Sequence, residues 1–365
     1  MKIEIVTTLK GTLKEEGFGS LDTCKNVSRA VEKLGHVVGL NVCRHEHDLL
    51  SVINKEPDLV LLAVKCLSVN DGNDIWLSEY FENHGINFTG SLIGAIDFDS
   101  DKVLAKLHLN KLGIKTAKFF TARPGQFNSS HELPVSFPLF LKPLDSANGK
   151  GSDISSLVNN FDEFQRKLLS LSENFGQTVL VEEYLDGPEF TCALIKSNSH
   201  GLSVSATEIL PPQSKDGLRI PGERAKEEET QTMIKTEYSK LAGNIRQLAI
   251  VVFHHLGIRD FGRIDIKTNR LGECFFVKAD LVPGMAPGSS NFPNTCLIAQ
   301  NISYDKVVQL MIEGGISRVP LVLPNASDLP LSSKPRESRL KFFDSMMHPG
   351  SLLAKLTRSR RPRIK

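Results

Sequence analysis

The run Asp58-Leu-Val-Leu-Leu-Ala-Val64 constrains the fold of this 365-residue chain more than any other segment. An apolar run without alternation is typical of a strand covered on both faces, and such strands belong to parallel sheets flanked by helices. Ile3 to Val6 predicts an earlier strand, Leu21 to Leu34 has helical spacing with Gly35 as a stop, and Ile86 to Gly90 predicts a further strand ending in a turn. The first hundred residues therefore predict an α/β layer with a parallel sheet.

The next segment has the pattern of a smaller domain. Phe137-Pro-Leu-Phe-Leu-Lys-Pro143 predicts a strand that leads into a loop of small residues, Ser146 to Ser152. Asn160 followed by Glu163 is the signature of a helix start, and Thr178 to Leu185 predicts a strand with an acidic end.

The remaining pattern predicts a larger domain built on paired strands and long helices. In chain order these are strands from Glu189 to Ile195 and from Leu202 to Ile209, a helix from Thr236 to Leu256, strands from Phe261 to Ile266 and from Glu273 to Ala279, and a helix near Ser303 to Ile312. The predicted division is an α/β domain over residues 1–97, a small α+β domain over 98–183, a larger domain over 184–318 and a basic, flexible tail over 319–365.

Charge and cysteine placement exclude several classes of protein. A net charge of +2 is too small for a chain that binds a polyanion over its whole surface. The scattered cysteines lack a Cys-x-x-Cys motif, which predicts reduced thiols in a cytoplasmic protein and argues against zinc. No segment has the roughly 18 consecutive apolar residues of a membrane span. Residues 351–365 are basic without an acid, which predicts a solvated extension or, alternatively, a docking segment.

Nucleotide sites require cations, carboxylates and a loop whose amides can approach a phosphate, and all three occur here. The loop Asp145-Ser-Ala-Asn-Gly-Lys-Gly-Ser152 suits a phosphate, although a flexible hairpin explains it equally well. Arg263 and Asp265 share one face of a predicted strand, and Asp280 ends the next strand. This group is typical of a magnesium–phosphate site or of a structural ion pair. An acidic group that by itself predicts only a solvated turn consists of Glu182, Glu183 and Glu189.

Taken in order, these segments resemble the D-alanine–D-alanine ligase branch of the ATP-grasp superfamily. The matching segments are Asp101-Lys102, Leu139-Phe-Leu-Lys-Pro143, Val179-Leu-Val-Glu-Glu-Tyr-Leu-Asp-Gly-Pro-Glu-Phe-Thr191, Phe261-Gly-Arg-Ile-Asp265 and Asp280-Leu-Val-Pro-Gly-Met285, with Ser289 after them and the weaker Phe88-Thr-Gly-Ser91 before them. The resemblance implies an α/β and α+β fold: a three-domain ATP-grasp architecture with an amino-terminal parallel-sheet domain. It also implies an ATP-dependent carbon–nitrogen ligase that joins a carboxylate to an amine through an acyl phosphate.

The resemblance implies a role for each matching residue. The residues implied in ATP binding are Lys102 and Lys142 at the phosphates, Gly149, Gly151 and Ser152 in a flap, Glu182, Glu183 and Leu185 near the adenine, Glu189 at the ribose, and Lys226 at the γ-phosphate. Arg263 and the backbone of Gly284 are implied to stabilise an oxyanion, and Ser289 to bind a substrate carboxylate. Asp265 and Asp280 are implied to hold Mg²⁺, with Mn²⁺ as an alternative metal.

Two departures from the family pattern bear on the site. Lys278 occupies the place of a glutamate that bridges two magnesium ions, which predicts one strong metal site and a lysine paired with Asp265, Asp280 or a phosphate. In place of the family's His-Gly-x-x-Gly-Glu-Asp-Gly run, the chain reads Lys65-Cys-Leu-Ser-Val-Asn-Asp-Gly72, and Glu15 or Glu16 is the weak match to an amine-binding glutamate. The substrate is therefore expected to differ from D-alanine.

Several readings stay open at this point. The first is an active ligase with small-molecule carboxylate and amine substrates, amino acids among them, as a monomer or a homodimer. The second is a pseudoenzyme that binds ATP, which Lys278 suggests. A true D-alanine–D-alanine ligase is the third, and a nucleic-acid binder that uses the basic tail is the least favoured.

Overall fold

The amino-terminal part of the chain builds the parallel sheet that the sequence predicts. A computed structural model gives the fold and describes residues 1–8, 17–68, 74–144, 154–175, 178–197, 201–210, 232–236 and 239–316. Three parallel strands are arranged in the order β2 (Val37–Val42), β1 (Lys2–Thr7) and β3 (Leu59–Leu62). The helices of this part are α1 (Leu21–Lys33), α2 (Glu46–Ile53), α3 (Leu77–Asn83) and α4 (Ile93–Ser100), and a short hairpin joins β4 (Cys66–Ser68) to β5 (Asp74–Trp76).

The strand predicted at Ile86 to Gly90 is wrong, because the sheet gains only an isolated bridge there, between Val60 and Phe88. Gly90 has a φ of 89°, and its amide donates to Asp260 Oδ2 at 2.8 Å instead of continuing the ladder. Arg259 holds the same segment, donating from Nε to the Gly90 carbonyl at 2.6 Å. The chain therefore turns away from β3 because distant side chains take the hydrogen bonds that a strand needs.

The second sheet is small and antiparallel, as expected of the central segment. Its strands lie in the order β6 (Phe119–Ala122), β9 (Val179–Glu183), β7 (Leu139–Pro143) and β8 (Leu157–Val158). The helix α6 (Phe161–Phe175) packs Phe164 and Leu168 against this sheet, whereas α5 (Lys102–Lys111), which precedes β6, buries Ala105 and Leu109 in the core shared by the first and third sheets. The predicted helix start is confirmed, since the Glu163 amide donates to Asn160 Oδ1 at 3.0 Å.

The third sheet is larger and also antiparallel. Its strands lie in the order β12 (Thr232–Lys235), β11 (Gly201–Leu210), β10 (Glu189–Ser197), β13 (Phe261–Thr268) and β14 (Cys274–Asp280). Three helices pack against this part of the molecule: α7 (Lys240–His255), α8 (Asn291–Gln300) and α9 (Tyr304–Ile316). Apolar residues of the first and third sheets, such as Ile5 and Ile264, belong to one continuous core, so these two parts are firmly packed together.

Two further predictions are corrected or left aside. The helix predicted from Thr236 begins at Lys240, because the Ser239 hydroxyl caps it by accepting a hydrogen bond from the Ala242 amide at 3.1 Å. The predicted basic tail lies outside the described residues. Among the helices that the structure describes, none is long and apolar enough to cross a membrane.

Candidate active site

A buried carboxylate between two lysines lies on β9, an inner strand of the small sheet. Glu182 Oε2 is 2.7 Å from Lys142 Nζ, and Glu182 Oε1 is 2.7 Å from Lys106 Nζ. The Lys106 side chain is only 1% exposed and that of Glu182 only 8%. Such a group is stable because each charge has an opposite charge in contact; one member left alone would be costly to bury.

Strand register and helix geometry bring these three residues together. Glu182 on β9 pairs with Phe140 on β7, so Lys142, two residues further along β7, is its diagonal neighbour on the same face. Lys106 is the residue that sequence reasoning missed. Its only signal is its position on α5, one helical turn after Lys102, which places both lysines on the same side of the helix.

The two ammonium groups determine the charge of Glu182. Burial alone would raise the pKa of this carboxyl, but Lys106 and Lys142 outweigh burial and lower the pKa to about 2. Burial also lowers the pKa of the Lys106 ammonium, and the Glu182 carboxylate opposes that effect. Glu182 is therefore ionised at neutral pH and forms an ion pair with one lysine through each of its oxygens.

A second charged cluster lies on β13 and on the edge strand β14 of the large sheet. Arg263 Nε is 3.3 Å from Asp265 Oδ1, and the Arg263 guanidinium is 3.2 Å from Asp280 Oδ2. In the ladder, Arg263 pairs with Asp280 and Asp265 pairs with Lys278. The prediction that Arg263 and Asp265 share one face is therefore confirmed. A register shift follows directly between Asp265 and Ile266, which marks a β-bulge beside the cluster.

Lys278 and Thr191 complete this cluster. Lys278 Nζ lies 3.5 Å from Asp265 Oδ2, which confirms the predicted pairing of this lysine with a site carboxylate. The Thr191 hydroxyl donates to Asp265 Oδ1 at 2.9 Å from the neighbouring strand β10, where Thr191 pairs with Asp265. The sequence did not single out Thr191 for this contact. Burial would lower the pKa of the Arg263 guanidinium, but Asp265 and Asp280 outweigh it and raise that pKa.

The remaining residues predicted to bind ATP lie around the two clusters. Lys102 is the first residue of α5, whose cap Asp101 accepts from the amides of Val103 and Leu104 at 3.0 and 2.9 Å. Leu185 is buried after β9. Glu183 Oε1 accepts from the Lys118 amide at 2.8 Å. Glu189 begins β10, and its carboxylate is 3.7 Å from Lys267 Nζ.

The residues predicted to act on the substrate follow β14. A Cβ atom at Gly284 would come within 2.8 Å of Ser290 Oγ, so the backbone passes Ser290 closely there. Ser289 is exposed and directly precedes Ser290, the amino-terminal cap residue of α8. The other predicted residues, which are Gly149, Gly151, Ser152 and Lys226, lie outside the described part of the chain.

The two carboxylates on β13 and β14 fit a magnesium ion, although they provide only part of its ligands. Asp265 and Asp280 provide hard oxygen ligands, as Mg²⁺ prefers. Within the described ranges, no group of three or more His, Cys, Asp or Glu side chains suits a metal. Lys278 is the residue opposite Asp265 in the ladder, and its ammonium cannot ligate a cation. The residues therefore fit one Mg²⁺ that keeps water or phosphate oxygens as its other ligands.

Comparison with known proteins identifies the family. The sequence profile described as D-ala D-ala ligase C-terminus matches residues 108–313, more than half of the chain. The D-alanine–D-alanine ligase of Aquifex aeolicus is 27% identical over 287 residues, which cover 77% of this chain and 90% of that protein. The D-alanine–D-alanine ligase of Halalkalibacterium halodurans is 24% identical over 317 residues, covering 84% of this chain and 97% of that protein.

Solved structures share the fold. The crystal structure of the D-alanine–D-alanine ligase from Bacillus anthracis complexed with ATP superposes with a TM-score of 0.65 at 20% identity, covering 87% of this chain and 97% of that one. The ligase from Coxiella burnetii superposes with a TM-score of 0.62 at 15% identity. The chain therefore belongs to the D-alanine–D-alanine ligase family, has its ATP-grasp fold and is an ATP-dependent carbon–nitrogen ligase.

Proposed function

We propose that this protein joins a carboxylate to an amine as an amide or peptide bond, through an acyl-phosphate intermediate. A carboxylate oxygen of the first substrate attacks the γ-phosphorus of ATP and releases ADP. The amine nitrogen of the second substrate then attacks the acyl carbon, and phosphate leaves. The observation that carries the proposal is the buried cluster in which Arg263 contacts both Asp265 and Asp280. Phosphoryl transfer depends on positioned charges of this kind.

The cluster on the small sheet supports a nucleotide subsite. Ionised Glu182 accepts hydrogen bonds, as an adenine amino group requires, and Lys142 and Lys102 supply positive charge for phosphates. We assign the backbone of Leu185 to the adenine, Glu189 to the ribose hydroxyls, Glu183 to the rim of this subsite and Lys226 to the γ-phosphate. Gly149, Gly151 and Ser152 form the flap in this proposal. ATP then lies between the domains of residues 98–183 and 184–318.

Arg263 and the loop after β14 support the second step. Arg263 carries a firmly held positive charge, because two carboxylates raise its pKa. It stabilises the oxyanion that develops when the amine attacks, together with the amide of Gly284. Ser289, exposed at the start of α8, binds a carboxylate of the substrate in this account.

Asp265 and Asp280 hold Mg²⁺, which when bound neutralises phosphate charge. Lys278 then takes the place of a second cation: its ammonium lies 3.5 Å from Asp265 Oδ2, on the side of that carboxylate away from Arg263. A lysine there supplies charge without a metal, so we assign one strong metal site to this ligase.

The substrates are small carboxylates and amines, and we propose that at least one of them differs from D-alanine. The support is the sequence itself, in which the segment from Lys65 to Gly72 departs from the family's His-Gly-x-x-Gly-Glu-Asp-Gly run.

A screen for turnover tests the proposal. The full-length protein is incubated with ATP, Mg²⁺ and pools of L- and D-amino acids, ADP release is followed, and products are identified by mass. The expected result is ADP and phosphate formed in step with a new amide. The alternative is a pseudoenzyme, which the contact of Lys278 with the Asp265 carboxylate favours. A pseudoenzyme would bind ATP without turnover. If D-alanine is the only amino acid that supports turnover and the product is its dipeptide, the proposal that a substrate differs from D-alanine is contradicted.

A further inference from the structure

The loop that follows β14 is held at both ends by residues from the amino-terminal part of the chain. At its start, the Leu281 amide donates to Asp99 Oδ2 at 2.8 Å. At its end, the Met285 amide donates to the Phe18 carbonyl at 2.9 Å, and the Phe18 amide in turn donates to Ala63 at 2.8 Å. This loop carries Gly284 and begins directly after Asp280. The metal binding proposed for Asp280 and the oxyanion contact proposed for the Gly284 amide therefore both depend on the conformation of the loop.

Asp99 makes its contact to Leu281 as half of a buried ion pair. The other carboxylate oxygen, Oδ1, lies 3.1 Å from Lys65 Nζ, and the side chains of Lys65 and Asp99 are only 9% and 6% exposed. Asp99 lies near the carboxyl-terminal end of α4 and Lys65 follows β3, so the pair joins α4 and β3 to the loop after β14. A carboxylate that accepts from a buried amide and a lysine at once has one fixed orientation.

The lysine also has an electrostatic reason to be present. Asp99 lies close enough to Arg263 and Asp280 to act on both. Without Lys65, it would add a third negative charge beside Asp265 and Asp280. Lys65 balances Asp99 and leaves the charge of the metal carboxylates unchanged, while Asp99 keeps its acceptor for Leu281.

We propose that Asp99 and Lys65 form a positioning pair, which fixes the Leu281 amide and thereby sets the orientation of the Asp280 carboxylate and the Gly284 amide for the reaction. This role rests on the proposed function of that loop. Lys65 and Asp99 themselves contact neither ATP nor metal in the proposed reaction. It also makes the first domain a determinant of the rate of reaction at β14.

Two double variants separate this role from simple packing. Lys65→Met with Asp99→Asn removes both charges but keeps an oxygen that can accept from the Leu281 amide. Lys65→Met with Asp99→Leu removes the charges and the acceptor at nearly the same volume. Replacing a buried ion pair by apolar groups of similar volume often leaves stability unchanged. Should the leucine variant not fold, Lys65→Met with Asp99→Ser replaces it, because a serine hydroxyl is too short to reach the amide.

For both variants and the wild-type protein, turnover is measured with ATP, Mg²⁺ and the active amino-acid pool, and hydrogen–deuterium exchange is followed in a peptide covering residues 281–285. We expect kcat of the leucine variant to fall about tenfold or more, with KM for ATP within about twofold. Exchange in that peptide should rise in the leucine variant alone, and the asparagine variant should stay within about threefold of wild-type kcat.

Equal kcat and equal exchange in the two variants overturn the positioning role. A wild-type protein without turnover contradicts the proposed function instead, and the exchange comparison still decides whether Asp99 holds the loop. A rise in KM for ATP with unchanged kcat also contradicts the inference, because it would place the pair at the nucleotide and not at the loop.

Discussion

Lys278 Nζ lies 3.5 Å from Asp265 Oδ2, across the ladder that joins β14 to β13. Arg263 contacts the other oxygen of the same carboxylate, so Asp265 is held between two cations. A carboxylate in this position can ligate one metal ion, but the side that faces Lys278 already carries a positive charge. The single metal site that we propose therefore depends on Lys278.

Replacing Lys278 tests that link. In Lys278→Glu a ligand oxygen replaces the ammonium, so we expect ATP turnover to depend more steeply on Mg²⁺ and to require more Mg²⁺ for half-maximal rate. Lys278→Gln is the matched control, since it removes the charge without adding a carboxylate. Rates are measured over a Mg²⁺ titration at saturating ATP. Identical Mg²⁺ curves for the wild-type protein and Lys278→Glu would mean that Lys278 has no part in metal binding.

Removing Arg263 should abolish ligation. We expect Arg263→Ala to lower kcat by about 100-fold or more, because it loses a cation that stabilises developing negative charge. Arg263 is buried, and its loss leaves Asp265 and Asp280 without their common partner. Unfolding free energy should therefore fall by about 3 kcal/mol.

The control for that variant is Arg270→Gln, which removes an exposed arginine paired with Asp186 at a turn of the same domain. It should change unfolding free energy by less than about 1 kcal/mol and leave kcat unchanged. Near-normal turnover in Arg263→Ala would remove Arg263 from the mechanism.

Acid should weaken the contribution of Glu182 to stability. Its pKa in the folded protein is about 2, below the ordinary value of 4.5, so its stabilising effect is complete above pH 4.5 and is lost as the pH falls towards 2. Glu182→Gln should cost on the order of 3 kcal/mol at pH 7, because Lys106 and Lys142 lose their partner. Urea unfolding of both proteins at several pH values between 7 and 3 measures this cost.

The difference between the two proteins should narrow below pH 4.5, because there the unfolded wild-type chain binds a proton at Glu182 while the folded protein keeps this carboxylate ionised down to about pH 2. A difference that is constant with pH would show that Glu182 is not held ionised by its two lysines. His131→Gln, a change at an exposed residue of the same domain, serves as the control and should give no difference at any of these pH values.

Local patterns predicted one of the two clusters better than the other. The period of a β-strand places Arg263 and Asp265 on one face, and the next strand brings Asp280 and Lys278 beside them, so the cluster on β13 and β14 follows from sequence. The contact of Lys106 with Glu182 joins α5 to β9, two elements whose docking no local pattern encodes.

Contacts between a side chain and a distant backbone could not be predicted from the sequence either, because no local pattern encodes how distant elements dock. Asp260 takes the Gly90 amide out of the predicted strand, and Asp99 holds the Leu281 amide after β14. Each depends on how the first sheet packs against the third, and that packing is decided by the shared core and not by the residues that make the contact.

Trapping of the acyl phosphate shows whether the protein activates its carboxylate substrate by phosphorylation. The full-length protein is incubated with ATP, Mg²⁺, the carboxylate substrate found by the turnover screen, and hydroxylamine in place of the amine. An acyl phosphate reacts with hydroxylamine to give a hydroxamate, so the account predicts hydroxamate formed in step with ADP and phosphate, and none in Asp265→Asn. Release of AMP and pyrophosphate, or hydroxamate formed without ADP, would contradict it.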